Sequence, residues 1–431
     1  MLRRKAYDKL VEWKNKSDKQ SLIVDGARQV GKTFIIREFA KTNYKNFIEL
    51  NFLKNSNYKE IFEGSLAGED IIDSLKQKFT ETNFEENETL IFLDEIQECP
   101  NAITALKFLT EYGKYDVIAS GSLLGIMCKY ASSFPVGYVD HLTMHSLDFE
   151  EFLWALGIKD ENIKIIKKYF DEKKEVPTSI HSDMMEKFKK YIIVGGMPQV
   201  VNLYVETKDI QVARNKQKTI LIDYKYDIAK YADNLDKMKI TACFESIPRH
   251  LSKDYKKFMY SEVNKGANYR SYGGCLEWLK NANIINYCYN LKLPEIPLDT
   301  NTRQDTFKIY MADTGLLMAM LEDESVSRVL NGELGIYKGA LYENVIGDLL
   351  AKKEKKLYYF EYNSTLEVDF ITIIENTLTA IEVKSADNTK SKSLKSIMEN
   401  WGVEKGIKLS SKNIGVSNNV SSYPLYMIMF L

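Results

Sequence analysis

The sequence predicts an α/β protein whose first part is a doubly wound, mostly parallel β-sheet. Three observations favour this fold class: short apolar segments alternate with helical patterns, a glycine-containing loop joins the first predicted strand to the first predicted helix, and a later strand ends in two acids. Strands separated by helices usually pair in parallel. Because ligands of such sheets bind at the carboxyl ends of the strands, a site is expected there.

The predicted elements share a simple pattern, in which an apolar run ends in small or polar residues. The strands are SLIVDG (21–26), FIELNF (47–52), TLIFLDE (89–95) and YDVIASG (115–121). The helices are FIIREFAK (34–41), with Phe34, Ile35, Ile36 and Phe39 on one face, and the amphipathic LDFEEFLWALG (147–157). These periodicities are the primary sequence signals of helix and strand.

The composition is that of an ordinary globular chain. Of 431 residues, 45% are apolar and 28% are charged, which excludes a disordered or fibrous protein. Lys and Arg total 59 and Asp and Glu total 60, so the formal net charge is −1. No overall field attracts this chain to nucleic acid or membrane, and any such binding needs a local patch.

The cysteines and the N-terminus predict a cytoplasmic protein. The five cysteines form no C-x-x-C pair, and an odd, scattered set argues against a disulfide framework. The four histidines do not combine with them at zinc spacing. The N-terminal segment lacks the apolar core of a signal peptide. No stretch approaches about 18 consecutive apolar residues, so no membrane span is expected.

Changes in character along the chain predict four parts. The first domain covers residues 1–157, and a charge-rich helical linker or lid region, broken at a Gly-Gly-Met-Pro segment, covers 158–239. Residues 240–304 read as small helices followed by an extended pair, and residues 305–431 mix helix and strand.

A phosphate-binding loop is predicted between the first strand and the first helix. It consists of Gly26, Ala27, Arg28, Gln29, Val30, Gly31, Lys32 and Thr33, which match G-x-x-x-x-G-K-[ST]. The two glycines let the backbone turn its N–H groups toward phosphates, and the helix N-terminus adds positive charge. Lys32 would reach the β- and γ-phosphates and Thr33 would ligate Mg²⁺. The alternative is a glycine turn that happens to precede Lys-Thr.

The strand Leu-Ile-Phe-Leu-Asp-Glu at 90–95 supplies the expected partner of this loop. Asp94 would hold Mg²⁺ through water, and Glu95 would polarise the attacking water as a general base. The Asp-Glu pair favours an ATP-hydrolysing protein over a GTPase, although an exposed acidic strand end would look similar. Ser120 or Ser122, at the end of the next strand, would sense the γ-phosphate, but serines are also common in turns.

The ordered set of motifs resembles a widespread prokaryotic family of AAA-type ATPases. The segments that carry the resemblance are GARQVGKT, IFLDEIQE, IASGSLLG, LDFEEFL, VGGMPQVV, FKIYMADTGLL (307–317), YKGALYENVIGDLL (337–350), EVDF (367–370) and IEVKS (381–385). The resemblance implies a C-terminal domain of unknown function that is similar to the PD-(D/E)XK, restriction-endonuclease-like α/β fold.

The chain departs from the resembled pattern at one position. Tyr138 stands where an arginine is expected after Ser-Phe-Pro-Val-Gly. An arginine from elsewhere would then complete the ATP site, and Arg249 and Arg270 are the candidates.

Four charged residues in the last part form a candidate metal site. Glu343 lies on a predicted helix, Asp369 on a predicted strand, and Glu382 and Lys384 two residues apart on the next strand, so that they share a face. Two carboxylates and a lysine can bind Mg²⁺ and position a hydroxide for phosphodiester attack. The resemblance implies that Asp369, Glu382 and Lys384 are the metal-binding and catalytic residues, and that Glu343 is an accessory ligand. A surface strand with alternating charge explains the same pattern.

Residues 261–294 resemble a winged helix, in which Tyr269, Arg270, Tyr272 and Lys280 could meet a nucleic-acid backbone. Its apolar stripe Cys275–Trp278–Leu279 also fits simple packing, and such domains serve as lids or protein contacts.

Two functions follow from these observations. The first is an ATP-driven machine whose nuclease-like domain acts on or binds DNA or RNA. The second is an ATP-dependent signalling switch whose nuclease-like domain is inert and binds partner proteins. A homo-oligomer is compatible with both, and the near-neutral net charge of −1 mildly favours the switch.

Overall fold

The structure is a computed structural model that describes residues 2–122, 125, 133–232, 236–252, 256–331, 333, 336–363, 365–385, 392–417 and 420–431. Its contacts divide the chain into two compact units, residues 3–145 and residues 146–431. Leu123 and Leu124 of the IASGSLLG segment lie outside the described residues. Within those residues, no helix combines the length and apolar character that a membrane span requires.

The N-terminal unit alternates helices and strands. The helices are α1 (Lys5–Lys14), α2 (Lys32–Asn43), α3 (Gly68–Lys78) and α4 (Pro100–Tyr112), with short 3-10 helices at Ser56–Phe62 and Ile96–Glu98. The strands are β1 (Ser21–Asp25), β2 (Asn46–Asn51), β3 (Thr89–Asp94), β4 (Asp116–Ser120) and β5 (Val139–Thr143).

These strands form one parallel sheet in the order β2-β3-β4-β1-β5. Every residue of β3 and β4 is buried, as expected for strands covered on both faces. Because the strands run in one direction, their carboxyl ends share an edge, where Asp94 is aligned with Ser120 and Ser120 with Val24. The predicted doubly wound sheet is confirmed.

The contacts group residues 146–157, the predicted end of the first domain, with the C-terminal unit. Helix α5 (Phe149–Ala155) starts with a capping box between Asp148 and Glu151. The rings of Phe149 and Phe152 lie 5.5 and 5.4 Å from that of Tyr191. The sequence pattern revealed the apolar face of this helix but could not show which core it joins.

The C-terminal unit is helical first and then mixed. After α5 come α6 (Asp160–Glu172), α7 (Thr178–Val194), α8 (Pro198–Thr207), α9 (Ile210–Tyr231), α10 (Lys237–Leu251), α11 (Tyr260–Val263), α12 (Tyr269–Asn281), α13 (Thr314–Ala319), α14 (Glu324–Asn331), α15 (Ile336–Lys352) and α16 (Lys392–Trp401). The strands are β6 (Ile285–Leu291), β7 (Thr302–Met311), β8 (Leu357–Tyr362), β9 (Leu366–Ile374), β10 (Thr377–Val383), β11 (Lys405–Ser410), β12 (Gly415–Ser417) and β13 (Val420–Pro424), with 3-10 helices at Asp299–Asn301 and Leu425–Phe430.

Eight strands form a mixed sheet in the order β12-β13-β11-β10-β9-β8-β6-β7. The pairs β6–β8, β10–β11 and β11–β13 are parallel, and the others are antiparallel. The boundary predicted between residues 304 and 305 falls inside β7, so the extended pair of the third predicted part shares this sheet with the fourth. Composition does not reveal pairing between strands that are distant in sequence.

The predicted Gly-Gly-Met-Pro break lies between α7 and α8. A Cβ atom on Gly196 would lie 2.0 Å from the carbonyl oxygen of Leu147, so only glycine fits there. The Asp313 carboxylate accepts hydrogen bonds from Gly196 N at 2.8 Å and Ser146 Oγ at 2.7 Å, and it also caps α13. Asp313 therefore links the Gly-Gly-Met-Pro segment by hydrogen bonds to Ser146, at the start of the C-terminal unit.

Candidate nucleotide site and C-terminal carboxylates

The predicted phosphate loop joins β1 to α2. Gly26 and Gly31 have φ values of 138° and 94°, which favour glycine. A Cβ atom on Gly26 would lie 2.1 Å from the carbonyl oxygen of Met144. The buried Arg4 braces the loop, because its Nη1 donates to Val30 O at 3.0 Å. The sequence therefore specifies a tight turn that opens onto a helix N-terminus, where anions bind.

The loop lysine is buried within this turn. Lys32 Nζ donates to the carbonyl oxygens of Gly26 at 2.9 Å and Ala27 at 2.8 Å. Burial lowers the pKa of Lys32 to about 8, although neighbouring carboxylates raise it. Those carboxylates, in order of effect, are Glu95, Asp25 and Asp94.

Three side chains converge on Asp94, which is buried at the end of β3. Thr33 Oγ1 donates to its two oxygens at 3.0 and 3.2 Å, Ser120 Oγ donates to Oδ1 at 2.5 Å, and Asn51 Nδ2 donates to Oδ2 at 2.7 Å. The hydroxyl of the loop and the acid of the neighbouring strand, predicted separately from sequence, therefore meet.

Glu95 follows in a left-handed backbone conformation, with φ 54° and ψ 46°. This is uncommon for a residue with a side chain and tends to occur at functional sites. Its Oε2 accepts a hydrogen bond of 2.5 Å from Nε2 of the buried Gln97. Glu95 directly follows Asp94 in the chain, and its negative charge raises the pKa of Lys32 against the effect of burial.

Of the two candidate sensor serines, Ser120 contacts Asp94 and Ser122 contacts the loop. Arg28 Nε donates to Ser122 Oγ at 3.4 Å, a long hydrogen bond. The sensing role of Ser122 stays a prediction.

Sequence reasoning missed Asn51 and Gln97. A signal for Asn51 was present, because it is a polar residue one position before the end of the predicted strand FIELNF. In the structure it is the last residue of β2 and is aligned with Asp94. Gln97 lies two residues after Glu95 in a single 3-10 turn, and nothing in the sequence marks its contact.

The oxygen atoms around Asp94 fit the Mg²⁺ ion that the predicted phosphate site would hold. The Thr33 hydroxyl and the Asp94 carboxylate supply hard oxygen donors, the ligand type that Mg²⁺ prefers, and they lie next to the buried ammonium of Lys32.

Tyr138, at the position expected to be an arginine, carries no fixed charge. Lys107 Nζ lies 4.9 Å from its ring centroid, and its carbonyl oxygen accepts from Thr110 Oγ1 at 3.0 Å. Of the candidate arginines, Arg249 donates to the carbonyl oxygen of Glu262 at 3.0 Å, and Arg270 is exposed. Both belong to the C-terminal unit, and an arginine finger stays a prediction.

In the C-terminal unit, Glu343 of α15 is buried among cations. Its Oε1 accepts from Lys308 Nζ at 2.9 Å and Tyr310 OH at 2.5 Å, and its Oε2 accepts from Lys256. Burial would raise the pKa of Glu343, but the two lysines lower it to about 2. Lys308 also donates to Glu367 at 2.6 Å, so a buried ion-pair network occupies this face of the sheet.

Asp369 faces the same network. Burial and the charge of Glu343 raise the pKa of Asp369 to about 7, with Lys308 and Lys256 opposing this shift. Its Oδ2 accepts from the backbone N of Val383 at 2.7 Å, which ties β9 to β10. Glu343 and Asp369 are therefore brought together.

Glu382 and Lys384 pair with each other at the end of β10, with Lys384 Nζ 2.5 Å from Glu382 Oε1. The other oxygen of Glu382 is buried and has no hydrogen-bond partner among the described residues. Within the same residues, no group of three or more His, Cys, Asp and Glu side chains is placed to hold a metal ion. The role of Glu343, Asp369 and Glu382 as metal ligands stays a prediction.

The predicted winged-helix segment contains α12, whose residues Cys275, Trp278 and Leu279 are buried as expected for packing. Tyr272 is also buried, whereas Tyr269, Arg270 and Lys280 are exposed. The exposed residues remain candidates for a nucleic-acid contact.

Comparison with known proteins supports the assignment of the N-terminal unit. Residues 18–153 match the family model described as an AAA domain. Residues 185–327 and 338–426 match two domains of unknown function, DUF8612 and DUF4143. No curated protein matches the chain.

Several solved structures share part of the architecture. The Walker-type ATPase PABY2304 of Pyrococcus abyssi has a TM-score of 0.44 and 14% identity over 74% of this chain and 96% of that chain. The Aeropyrum pernix ORC1 protein in complex with DNA has a TM-score of 0.28 and 10% identity, with 76% and 92% covered. Drosophila ORC bound to DNA has a TM-score of 0.30 and 12% identity, with 77% and 96% covered.

The fold and the site define the N-terminal unit as a P-loop domain of the AAA type. The parallel sheet, the loop at Gly26–Thr33 and the acids that follow β3 coincide with the matched AAA domain. This fold implies nucleotide binding.

Proposed function

We propose that the protein binds ATP with Mg²⁺ and hydrolyses it, with Glu95 as the general base. The observation that supports this proposal best is the convergence of Thr33, Ser120 and Asn51 on Asp94 at the carboxyl edge of the sheet. Such a preorganised cluster lies where parallel sheets bind ligands.

In this proposal each residue of the site has one task. The loop N–H groups and Lys32 bind the phosphates, and the positive charge of Lys32 stabilises the charge that develops during transfer. Thr33 and Asp94 would hold Mg²⁺, which when bound would neutralise part of the phosphate charge. Glu95 accepts the proton of the attacking water.

Two variants test the proposal. Lys32→Ala should bind ATP much more weakly, because a charge-assisted phosphate contact disappears. Glu95→Gln should bind ATP but not hydrolyse it. The matched control is Glu98→Gln, three residues further along the same turn, which should hydrolyse ATP normally. Normal hydrolysis by Glu95→Gln would show that the base is another residue.

We propose as a second step that ATP binding drives a regulatory switch, with the nuclease-like C-terminal region inert toward phosphodiesters. The support for this choice is the ion-pair network, because Lys308 and Lys256 already neutralise Glu343, where a metal ligand would need a free carboxylate.

The test is incubation of the purified protein with plasmid DNA or RNA, ATP and Mg²⁺ or Mn²⁺. The switch predicts phosphate release without strand cleavage. Metal-dependent cleavage that Asp369→Ala abolishes would instead establish a nuclease with Asp369, Glu382 and Lys384 in the roles that the family resemblance implies. Salt-dependent DNA binding without cleavage would point to α12 as a nucleic-acid contact.

A further inference from the structure

The buried side chain of Gln97 contacts the proposed general base. Its Nε2 donates to Glu95 Oε2 at 2.5 Å, and 1% of the residue is exposed. Asp94 accepts several hydrogen bonds, but the Gln97 amide is the only donor to the Glu95 carboxylate that the described residues show.

The local backbone fixes this amide. Glu95 turns the chain through its left-handed conformation, and the 3-10 turn Ile96–Glu98 follows at once. Glu98 N donates to Glu95 O at 3.0 Å and Cys99 N to Ile96 O at 2.9 Å. This short turn directs the side chain of Gln97 back to the carboxylate two residues earlier.

The carbonyl oxygen of the same Gln97 amide makes no hydrogen bond among the described residues. Gln97 Oε1 is buried and has no hydrogen-bond partner in the part of the chain that the structure describes. A buried carbonyl oxygen without a donor destabilises a fold, so an apolar side chain of the same length would serve the core better. Retention of a destabilising group at a site is typical of a residue kept for function.

We propose that Gln97 is a positioning residue that holds the Glu95 carboxylate in its reactive orientation. The inference rests on the proposed role of Glu95 and adds to it the means by which the base is held. A flexible glutamate samples several rotamers, and a general base must lie within hydrogen-bond reach of the water. The amide of Gln97 selects the rotamer that turns the carboxylate to the phosphate site.

The test compares steady-state ATP hydrolysis, ATP affinity and thermal stability in two matched variants of the full chain. Gln97→Met removes both amide atoms at nearly constant length and should lower kcat about tenfold or more, with KM changed less than twofold. The melting temperature should not fall. Gln20→Met is the control, because Gln20 Nε2 also donates a hydrogen bond, to Gly137 O at 2.7 Å, at the opposite end of β1. It should leave kcat unchanged.

A second variant and a double variant keep the test decisive. Gln97→Glu keeps the shape but cannot donate to Glu95 when ionised, and should also lower kcat. Adding Gln97→Met to Glu95→Gln should leave the ATP affinity of Glu95→Gln unchanged, since Gln97 acts through Glu95 and not on nucleotide binding. An unchanged kcat in Gln97→Met overturns the inference, and so does a loss of kcat that only parallels a fall in melting temperature.

The two proposals can fail separately. If Glu95→Gln hydrolyses ATP normally, the proposed base itself is wrong. If Glu95→Gln is inactive while Gln97→Met is fully active, only the role of Gln97 is refuted.

Discussion

Ser120 Oγ lies 2.5 Å from Asp94 Oδ1, and this hydrogen bond joins the ends of two adjacent parallel strands at the phosphate site. Asp94 is buried, and a buried carboxylate needs hydrogen-bond donors of this kind to replace the water that it has lost. The contact ties the end of β4 to the acid of β3 and gives the serine a defined position in the site.

Ser120→Ala should therefore weaken the site without abolishing it. Asp94 keeps Thr33 and Asn51 but loses one hydrogen bond to a charged group, which contributes about 1.5–3 kcal/mol. We expect lower stability in urea unfolding and about tenfold slower ATP hydrolysis. Ser122→Ala is the comparison, since Ser122 is the other candidate sensor and its hydroxyl accepts only a long hydrogen bond, from Arg28, among the described residues. Equal effects of the two variants would contradict a special role for Ser120.

The buried ammonium of Lys32 should make ATP affinity depend on pH. Its pKa is lowered to about 8 in the absence of nucleotide, and phosphate binding requires the charged form. Affinity should be flat below pH 8 and fall up to about tenfold per pH unit above it. Calorimetric titration between pH 6.5 and 9.5 measures this. Lys32→Met should show weak binding with no such fall, and an equally steep fall in that variant would assign the proton to another group.

The same shift has a consequence for stability. In the unfolded chain a lysine keeps its ordinary pKa of 10.5, so between pH 8 and 10.5 the unfolded state binds more protons than the folded state. The contribution of Lys32 to the free energy of unfolding therefore rises with pH in this window. Lys32→Met should remove this contribution, which the difference between the two unfolding curves shows.

Removal of the buried cation in the C-terminal unit should be severe. Lys308→Met leaves Glu343 and Glu367 without their shared partner, and breaking a buried ion pair costs about 3–5 kcal/mol. Urea unfolding of that unit reports the loss. The exposed pair Lys395–Glu399 supplies the control, because Lys395→Met should change stability by less than about 0.5 kcal/mol.

A double variant separates charge from shape in this network. Adding Glu343→Gln to Lys308→Met removes one of the stranded charges and should recover part of the stability. If the double variant is as unstable as the sum of the two single variants, the lysine acts through packing and not through its charge.

Asp369 should make the C-terminal unit less stable as the pH rises. Its folded pKa of about 7 lies above the ordinary value of 3.8, so the folded state binds more protons between these values. Its contribution to the free energy of unfolding is therefore greatest below pH 4 and falls as the pH rises to 7. Asp369→Asn should lose less of its free energy of unfolding between pH 4 and 7 than the unsubstituted protein does. Asp348, whose pKa is also raised to about 7, contributes the same pH dependence to both proteins, so the variant keeps part of the loss. Parallel stability curves would contradict this assignment.

The sequence sufficed for features that are encoded by neighbouring residues. The loop from Gly26 to Thr33 is contiguous, and its strand and helix flank it directly, so its conformation followed from local rules. Asp94 followed for the same reason, as the end of an apolar run.

Features that depend on strand register could not be predicted. Lys308 meets Glu343 only because α15 packs on the sheet that contains β7, and the two residues are 35 positions apart in the chain. The pairing of Asn51 with Asp94 needs the order of strands, and the contact of Arg4 with Val30 needs the packing of the N-terminal segment. No periodicity in the sequence encodes these distances.

The pairing of β6 with β8 bears on how the chain folds as it leaves the ribosome. All strands of the N-terminal unit lie before residue 145, so that sheet can close while the rest is still being synthesised. In contrast, Cys288 is aligned with Leu357, and β6 must wait for about seventy more residues before its parallel partner exists. During that interval one edge of β6 has exposed hydrogen-bonding groups, and a chain that stops at residue 304 would keep that edge unpaired and prone to aggregation.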